Sequence, residues 1–226
     1  VRGISFDVKQ GQVFGVVGES GCGKTATGRA LMRLVPPPGR ITEGRVLYRG
    51  EDLLEKPEAA LRSLRGRRIA MVFQDPSAAL NPVFTVGQQL IAIIQRHGIA
   101  RGAAARRRAM DLLGEVGLPS PPDMLDRYPH QLSGGMQQRA MLAMALAADP
   151  DVIIADEATT ALDVTVQAQI VELLLRLQRE RGLTIIFITH DLGLVAEICD
   201  HVAVLYMGRI VEEADTDSIF HDTRHP

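Results

Sequence analysis

The segment Gly18-Glu19-Ser20-Gly21-Cys22-Gly23-Lys24-Thr25 stands between the apolar run VFGVV and the helix-like run TATGRALMRL. It fits the pattern G-x-x-x-x-G-K-[S/T] in the strand and helix context that the pattern requires. Its glycines let backbone N–H groups turn toward a phosphate, and the start of the following helix favours negative charge. We predict that residues 18–25 cradle phosphates, with Lys24 on the β- and γ-phosphate oxygens and the Thr25 hydroxyl on Mg²⁺.

Size and charge restrict the class of protein. The chain has 226 residues, of which 46% are hydrophobic, so it can bury a substantial core in one large domain or two small ones. Its formal net charge of -2 provides no positive field for nucleic acid, and we predict no nucleic-acid partner. No apolar stretch reaches the roughly 18 residues of a membrane span, and the start VRGISFDVKQ lacks a signal-peptide core. We expect a protein made and kept in the cytosol.

Runs rich in valine and isoleucine predict strands that alternate with helices. They are Val13 to Val17, Arg68 to Phe73, Val152 to Ala155, Thr184 to Thr189 and His201 to Tyr206. This alternation predicts an α/β fold with a mostly parallel sheet. The runs VIIA and TIIFIT are apolar throughout, which is typical of central strands that have helices on both faces.

Two segments depart from this alternation. The segment ITEGRVLYRGEDL has the texture of an antiparallel pair with a turn at Arg49-Gly50, and it predicts a small β portion. From about Pro82 to Pro129 the pattern is helical, with a basic cluster at Arg106 to Arg108 that we interpret as a solvated helix face. We predict a single domain with two lobes, in which residues 1–81 and 150–226 form the α/β core and residues 82–149 form an inserted helical subdomain.

Two acids, Asp156 and Glu157, end the buried run VIIADE. Open α/β sheets bind ligands at the carboxyl ends of their strands. Asp156 can hold Mg²⁺ through water, and Glu157 is placed to act as the base, or to orient water, for attack on a γ-phosphate. The alternative is that the acidic pair merely caps the next helix.

Two further polar residues follow predicted strands. His190 comes after TIIFIT and can reach a γ-phosphate. A lone histidine is more often structural, but its place at the same sheet edge as Asp156 and Glu157 favours a functional role. Gln74 comes after IAMVF, and its amide can ligate Mg²⁺ or hold the attacking water, although a lone glutamine is equally compatible with no role.

A second glycine-containing segment, LSGGMQQ, opens the helix QQRAMLAMALAA. Its residues Ser133, Gly134 and Gly135 offer free N–H donors to an anion. An ordinary capped helix explains the segment equally well.

Taken in order, GESGCGKT, Gln74, LSGGMQQ, VIIADE, Ala161-Leu162-Asp163 and His190 resemble the full motif set of ABC ATPases. The resemblance covers nearly the whole chain. It implies the family's P-loop NTPase fold, binding of ATP with Mg²⁺, and catalytic roles for Glu157 and His190. It also implies that Ser133 to Gly135 act in trans on ATP held by a second subunit, with Asp163 at the same interface.

The runs VFQDPSAALNPVFTVGQQL and ATTALDVTVQAQIVELL resemble more narrowly the oligopeptide and dipeptide permease branch, which includes nickel and glutathione importers. This resemblance implies ATP-driven peptide import by a peripheral subunit on the cytoplasmic side of the inner membrane. The implied partners are an integral-membrane permease, an extracytoplasmic solute-binding protein and a second ATPase subunit, identical or paralogous, arranged head to tail. The transported solute is left open.

Three departures accompany the resemblance. Ala158 stands where the family has proline, and we expect this change to alter loop stiffness more than chemistry. The chain starts at Val1 inside an expected early strand and ends at Pro226 where relatives continue, so we expect trimming at both ends. With no aromatic far enough upstream of Gly18 to stack on adenine, we expect weak ATP binding.

Other functions fit less well. ABC ATPases that act on DNA or ribosomes usually have long coiled-coil insertions or two cassettes, and degenerate modules lack the glutamate or the histidine.

We also predict that residues 75–89 dock against the membrane partner through Leu80, Val83 and Phe84, which are apolar and lie in a loop-like stretch. The alternative is that these three side chains pack into the helical subdomain.

Overall fold

The computed structural model describes residues 1–159 and 163–222, so Ala161 and Leu162 of the predicted motif set lie outside the described residues. Eight strands are present in these residues: β1 (Val13–Val17), β2 (Leu47–Tyr48), β3 (Glu51–Asp52), β4 (Ile69–Val72), β5 (Val152–Asp156), β6 (Thr184–Thr189), β7 (His201–Tyr206) and β8 (Arg209–Asp215). The main sheet has the order β4-β5-β6-β1-β7-β8. Its pairs are parallel except that β8 runs antiparallel to β7.

Helices connect these strands. They are α1 (Lys24–Leu31), α2 (Glu58–Leu64), α3 (Pro76–Ala79), α4 (Val86–Arg96), α5 (Gly102–Glu115), α6 (Pro121–Leu125), α7 (Gly134–Leu146), α8 (Val164–Arg181), α9 (Leu192–Ile198) and α10 (Thr216–His221), with a short 3-10 helix at Pro129–Gln131. Within the described residues, no helix is both long and apolar enough to span a membrane.

The predicted strands of the main sheet are confirmed, three of them with the predicted bounds. The edge strand β8 was not predicted. It follows a hairpin turn at Met207 and Gly208, whose φ angles of 48° and 81° match the twist of the flanking strands. Methionine at a positive φ is unusual, so the sequence carries no strong signal for this turn.

The small β portion is also confirmed as the two-stranded sheet of β2 and β3. Its turn at Arg49 and Gly50 has φ angles of 51° and 82°. The Tyr48 hydroxyl donates to the Asp151 carboxylate just before β5, and burial, together with this bond, raises the Tyr48 pKa to about 12. Asp151 therefore links the small sheet to the main one.

The stretch between β4 and β5 is helical, as predicted. Thr85 and Gln88 form a capping box that starts α4, and α4 buries Val86, Leu90 and Ile94 on one face. These side chains belong to the same apolar core as the strands of the main sheet. The division into two lobes at residues 82–149 stays a prediction.

The expected side-chain exposure is found in the basic cluster but only in part of the predicted docking segment. Arg106 and Arg107 are exposed, as expected for a solvated helix face. In the docking segment, Val83 and Phe84 are exposed, but Leu80 is only 2% exposed. The prediction that Leu80 offers a contact surface is wrong, because the short helix α3 turns this side chain into the protein interior.

The strand order decides which residues lie together at the carboxyl edge of the sheet. β4, β5, β6 and β1 are consecutive neighbours, and all run in the same direction. Their carboxyl ends lead directly to Gln74, to Asp156 and Glu157, to His190 and to Gly18. Segments far apart in the chain therefore meet at one edge of the sheet.

Candidate functional site

Lys24 is the buried cation at the centre of the glycine-rich loop. Its side chain is 4% exposed, and its Nζ donates to the carbonyl oxygens of Gly18 at 2.7 Å and Glu19 at 2.9 Å. Burial of an ammonium group requires hydrogen-bond acceptors, which the loop's own backbone supplies here. The loop therefore holds Lys24 ready for a phosphate oxygen.

The backbone of this loop leaves no room for a side chain at Gly18. A Cβ atom at Gly18 would lie 2.1 Å from the carbonyl oxygen of Leu205, so the loop lies directly against β7. Gly23, at φ 114°, precedes α1 and provides no side-chain cap to its first N–H groups. Uncapped N–H donors beside a buried lysine fit a bound phosphate chain.

Thr25 and Asp156 form a second element of the site. The Thr25 hydroxyl donates to Asp156 Oδ1 at 3.0 Å, and Asp156 is 3% exposed. Burial raises the Asp156 pKa, the hydrogen bond from Thr25 opposes this effect, and the charge of Glu157 adds to it. A hydroxyl and a carboxylate side by side are hard oxygen ligands, which fit Mg²⁺ held by one carboxylate and by substrate phosphates.

The Glu157 carboxylate lies close to three other side chains of the candidate site. It has a left-handed backbone with φ 48°, and its N–H donates to the Ile188 carbonyl of β6 at 2.9 Å. The carboxylate accepts from Gln74 Nε2 at 2.9 Å, and it lies 3.5 Å from His190 Nδ1 and 3.9 Å from Lys24 Nζ. A strained conformation held by a neighbouring strand is typical of functional residues.

The structure places the other predicted residues as follows. Gln74 bonds to Glu157 and, within the described residues, makes no hydrogen bond to Thr25 or Asp156. Ser133 caps α7 by accepting from the Met136 N–H at 3.4 Å. Asp163 caps α8 in the same way, accepting from Val166 at 3.0 Å. Both residues therefore serve as helix caps, and their roles toward a nucleotide stay predictions.

Sequence reasoning missed residues that support the segment Ser133 to Gly135. Gln137 Nε2 donates to the carbonyl oxygens of Pro129 at 2.9 Å and Leu132 at 3.3 Å. A Cβ atom at Gly135 would lie 2.6 Å from a methyl group of Val166, so the starts of α7 and α8 pack closely. Consecutive glutamines at the start of an otherwise apolar helix are the only signal that the sequence offers for the first contact.

Residues 1–160 match the ABC transporter family. The chain belongs to this family. It is 49% identical to the dipeptide transport ATP-binding protein DppD of Bacillus subtilis (strain 168), over all of this chain and 68% of the relative. It is 51% identical to the DppD of Escherichia coli (strain K12), over 99% of this chain and 68% of the relative. The chain thus spans about two thirds of the length of these relatives.

Solved ABC cassettes agree with the fold. A dimeric post-hydrolysis state of the ATP-binding cassette MJ0796, bound to ADP and Pi, superposes with a TM-score of 0.82 at 29% identity, covering 94% of this chain and 89% of that one. CbiO1 from Clostridium perfringens, part of the transporter complex cbiONQ, gives a TM-score of 0.80 at 28% identity, covering 96% and 83%. The fold is the P-loop ABC ATPase core. As a member of this family, the chain is an ATPase domain that binds adenine nucleotides.

Proposed function

We propose that this chain hydrolyses ATP with Glu157 to drive import of dipeptides or oligopeptides through a membrane permease. The observation that supports the catalytic part is the convergence of Lys24, Gln74 and His190 on the Glu157 carboxylate. The names of the relatives, at about half identity over the whole chain, support the peptide part.

Phosphate binding falls to the glycine-rich loop. The buried Lys24 exchanges its bonds to backbone carbonyls for bonds to the β- and γ-phosphate oxygens. The first N–H groups of α1 face the same phosphates and can donate hydrogen bonds to them. Mg²⁺ would supply charge neutralisation when bound, and Thr25 and Asp156 are the residues that would hold it.

Hydrolysis falls to Glu157. Its carboxylate accepts a proton from the attacking water, and Gln74 restricts where that water sits because its amide already bonds to Glu157 Oε2. His190, which is half exposed beside the same carboxylate, contacts the γ-phosphate from the other side. Glu157, Gln74 and His190 can take these roles in the positions that they have at the carboxyl edge of the sheet.

A second ATPase subunit completes the site. Ser133 and Gly134 are exposed at the start of α7, where free N–H groups are suited to the γ-phosphate of ATP on a facing subunit. Asp163 is exposed at the start of α8 and contributes to the same head-to-tail contact. The partner is a second copy of this chain or a paralogue.

The permease contact involves the segment after Gln74. Val83 is 70% exposed and Phe84 is 48% exposed, and both lie in the segment that starts at the Glu157-bound glutamine. Exposed apolar side chains at this place suit a protein partner. The subunit therefore sits at the cytoplasmic face of the inner membrane, and an extracytoplasmic binding protein delivers the solute to the permease.

The test is transport by the native ATPase and permease reconstituted in lipid vesicles. With MgATP supplied on the ATPase side and the solute-binding protein on the other, we expect uptake of a labelled dipeptide or oligopeptide. Nickel and glutathione are the comparison solutes, and AMP is the nucleotide control. Uptake of nickel or glutathione without uptake of peptide contradicts the peptide assignment, and absence of ATP hydrolysis contradicts the catalytic one.

The same preparation tests the permease contact. Phe84→Asp is expected to reduce co-purification of the permease while ATP binding by the isolated subunit stays unchanged. Leu47→Asp is the matched control, because Leu47 is also exposed but lies on β2. Equal recovery of the permease with both variants contradicts a role for Phe84.

A further inference from the structure

Gln138 carries a buried amide near the start of α7. Its side chain is 1% exposed, and no group among residues 1–159 and 163–222 accepts from its Nε2. The neighbouring Gln137 differs, since its Nε2 bonds to two carbonyl oxygens. Buried polar groups in native proteins nearly always have partners, so an exception calls for an explanation.

A cavity of about 210 Å³ adjoins this amide. Its lining consists of Gln74, Asp75, Pro76, Ser77, Gly134, Gln137, Gln138 and Ala158. One wall thus belongs to α7 and the opposite wall to the segment that begins at Gln74. Because Gln74 bonds to Glu157, the cavity lies directly beside the proposed catalytic carboxylate.

Acceptors are available on the opposite wall. Gln74 uses its Nε2 for Glu157, and its Oε1 makes no hydrogen bond within the described part of the chain. Asp75 Oδ1 accepts from the N–H of Ser77 at 2.8 Å and from its hydroxyl at 2.6 Å, which holds this carboxylate at the start of α3. Among the residues of this wall, Gln74 is the one that bonds to Glu157, so a bond from Gln138 to Gln74 Oε1 would reach the proposed catalytic carboxylate.

We propose that Gln138 is a positioning residue, which donates to Gln74 Oε1 when bound ATP draws α7 toward residues 74–77 and closes this cavity. The bond fixes the orientation of the Gln74 amide, so that its nitrogen stays on Glu157 and its oxygen stays on Gln138. The inference rests on the proposed ATP hydrolysis by Glu157. The closure gives the buried Gln138 amide the acceptor that it lacks among the described residues.

The test compares Gln138→Leu with the parent protein and with Gln137→Leu. Leucine has nearly the size of glutamine but no buried donor, so the nucleotide-free Tm is expected to rise by about 2–4 °C. The KM for MgATP is expected to stay unchanged, and kcat is expected to fall about tenfold, the effect of one lost hydrogen bond. Gln137→Leu is expected to lower Tm, because it leaves two carbonyls without their donor.

The outcomes separate this inference from the proposed function. A Tm that does not rise in Gln138→Leu, or a kcat equal to that of an active parent, overturns the inference alone. A parent that does not hydrolyse MgATP overturns the proposed function, and the Tm comparison still decides about the buried amide. A crystal structure of the Glu157→Gln variant with MgATP is the second measurement. We expect Gln138 Nε2 within 3.5 Å of Gln74 Oε1 there, a hydrogen-bond distance, and an amide that remains unpaired or bonds elsewhere overturns the inference.

Discussion

Gln74 and Glu157 are 83 residues apart in the chain, yet the Gln74 amide donates to the Glu157 carboxylate at 2.9 Å. The bond connects the ends of the neighbouring parallel strands β4 and β5. It leaves Glu157 Oε1 beside Lys24 and His190, at 3.9 and 3.5 Å. Among the described residues, the Glu157 carboxylate is therefore oriented by the Gln74 amide and faces Lys24 and His190, so its position at the sheet edge is fixed from several sides.

Replacing Glu157 by glutamine tests this role. Glu157→Gln is expected to retain ATP binding while turnover falls about 10²- to 10⁴-fold, the usual contribution of a general base. Bound ATP should then persist and trap a dimer, which size measurement with and without MgATP detects. Glu172→Gln is the control, because Glu172 is exposed on α8. Parent-like turnover in Glu157→Gln would remove Glu157 from the mechanism.

Alanine substitutions at two glycines of the phosphate loop are expected to differ strongly in their effects on stability and on ATP binding. Gly18→Ala places a methyl group 2.1 Å from the Leu205 carbonyl oxygen, whereas a Cβ atom at Gly21 meets no heavy atom of the described residues within 4 Å. We expect Gly18→Ala to lower stability by about 3 kcal/mol or more and to abolish ATP binding. Gly21→Ala, at φ 82°, should cost only ~1 kcal/mol. Urea unfolding and nucleotide titration measure both effects, and similar losses in the two variants would contradict the contact with β7.

The close packing of Gly135 on Val166 can be tested with a pair of variants. Gly135→Ala is expected to cost about 1–3 kcal/mol, because its Cβ atom would lie 2.6 Å from a Val166 methyl group. Val166→Ala removes that methyl group, so the double variant should recover most of the loss in stability and in ATP-dependent dimerisation. A double-mutant cycle measures the coupling. Additive losses would show that the two residues act independently.

Replacement of Asp156 by a neutral residue is expected to give a gain in stability that depends on pH. Its pKa is raised above the ordinary 3.8, mainly by burial, so the folded protein at neutral pH carries a buried charge at a cost. Asp156→Asn is expected to raise Tm by a few degrees at pH 7. The gain should shrink as the pH falls through the raised pKa toward 3.8, because the parent carboxyl is then also neutral. Thermal melts over this range measure the difference, and a gain that is constant with pH would contradict the burial effect.

The sequence predicted most of the sheet because buried strands in an α/β fold are continuous apolar runs. The run TIIFIT became β6 with its predicted bounds, and VFGVV became β1. The edge strand β8 escaped prediction, since its RIVEEAD pattern is half polar and its turn begins with a methionine at positive φ. Leu80 was assigned to a surface because local sequence does not show which way a short helix such as α3 points.

By itself, the sequence determined the strand ends of the main sheet and predicted the residues of the candidate site that lie on them. Local patterns suffice for this, because a glycine-rich loop or an acidic pair after an apolar run acts through neighbours in the chain. Only the tertiary structure decided that Gln74, Glu157 and His190 touch and that Val166 leaves no room for a side chain at Gly135. It also decided that Gln138 is buried without an acceptor among residues 1–159 and 163–222. These relationships depend on strand order and helix packing between segments that are remote in sequence, which no local pattern encodes.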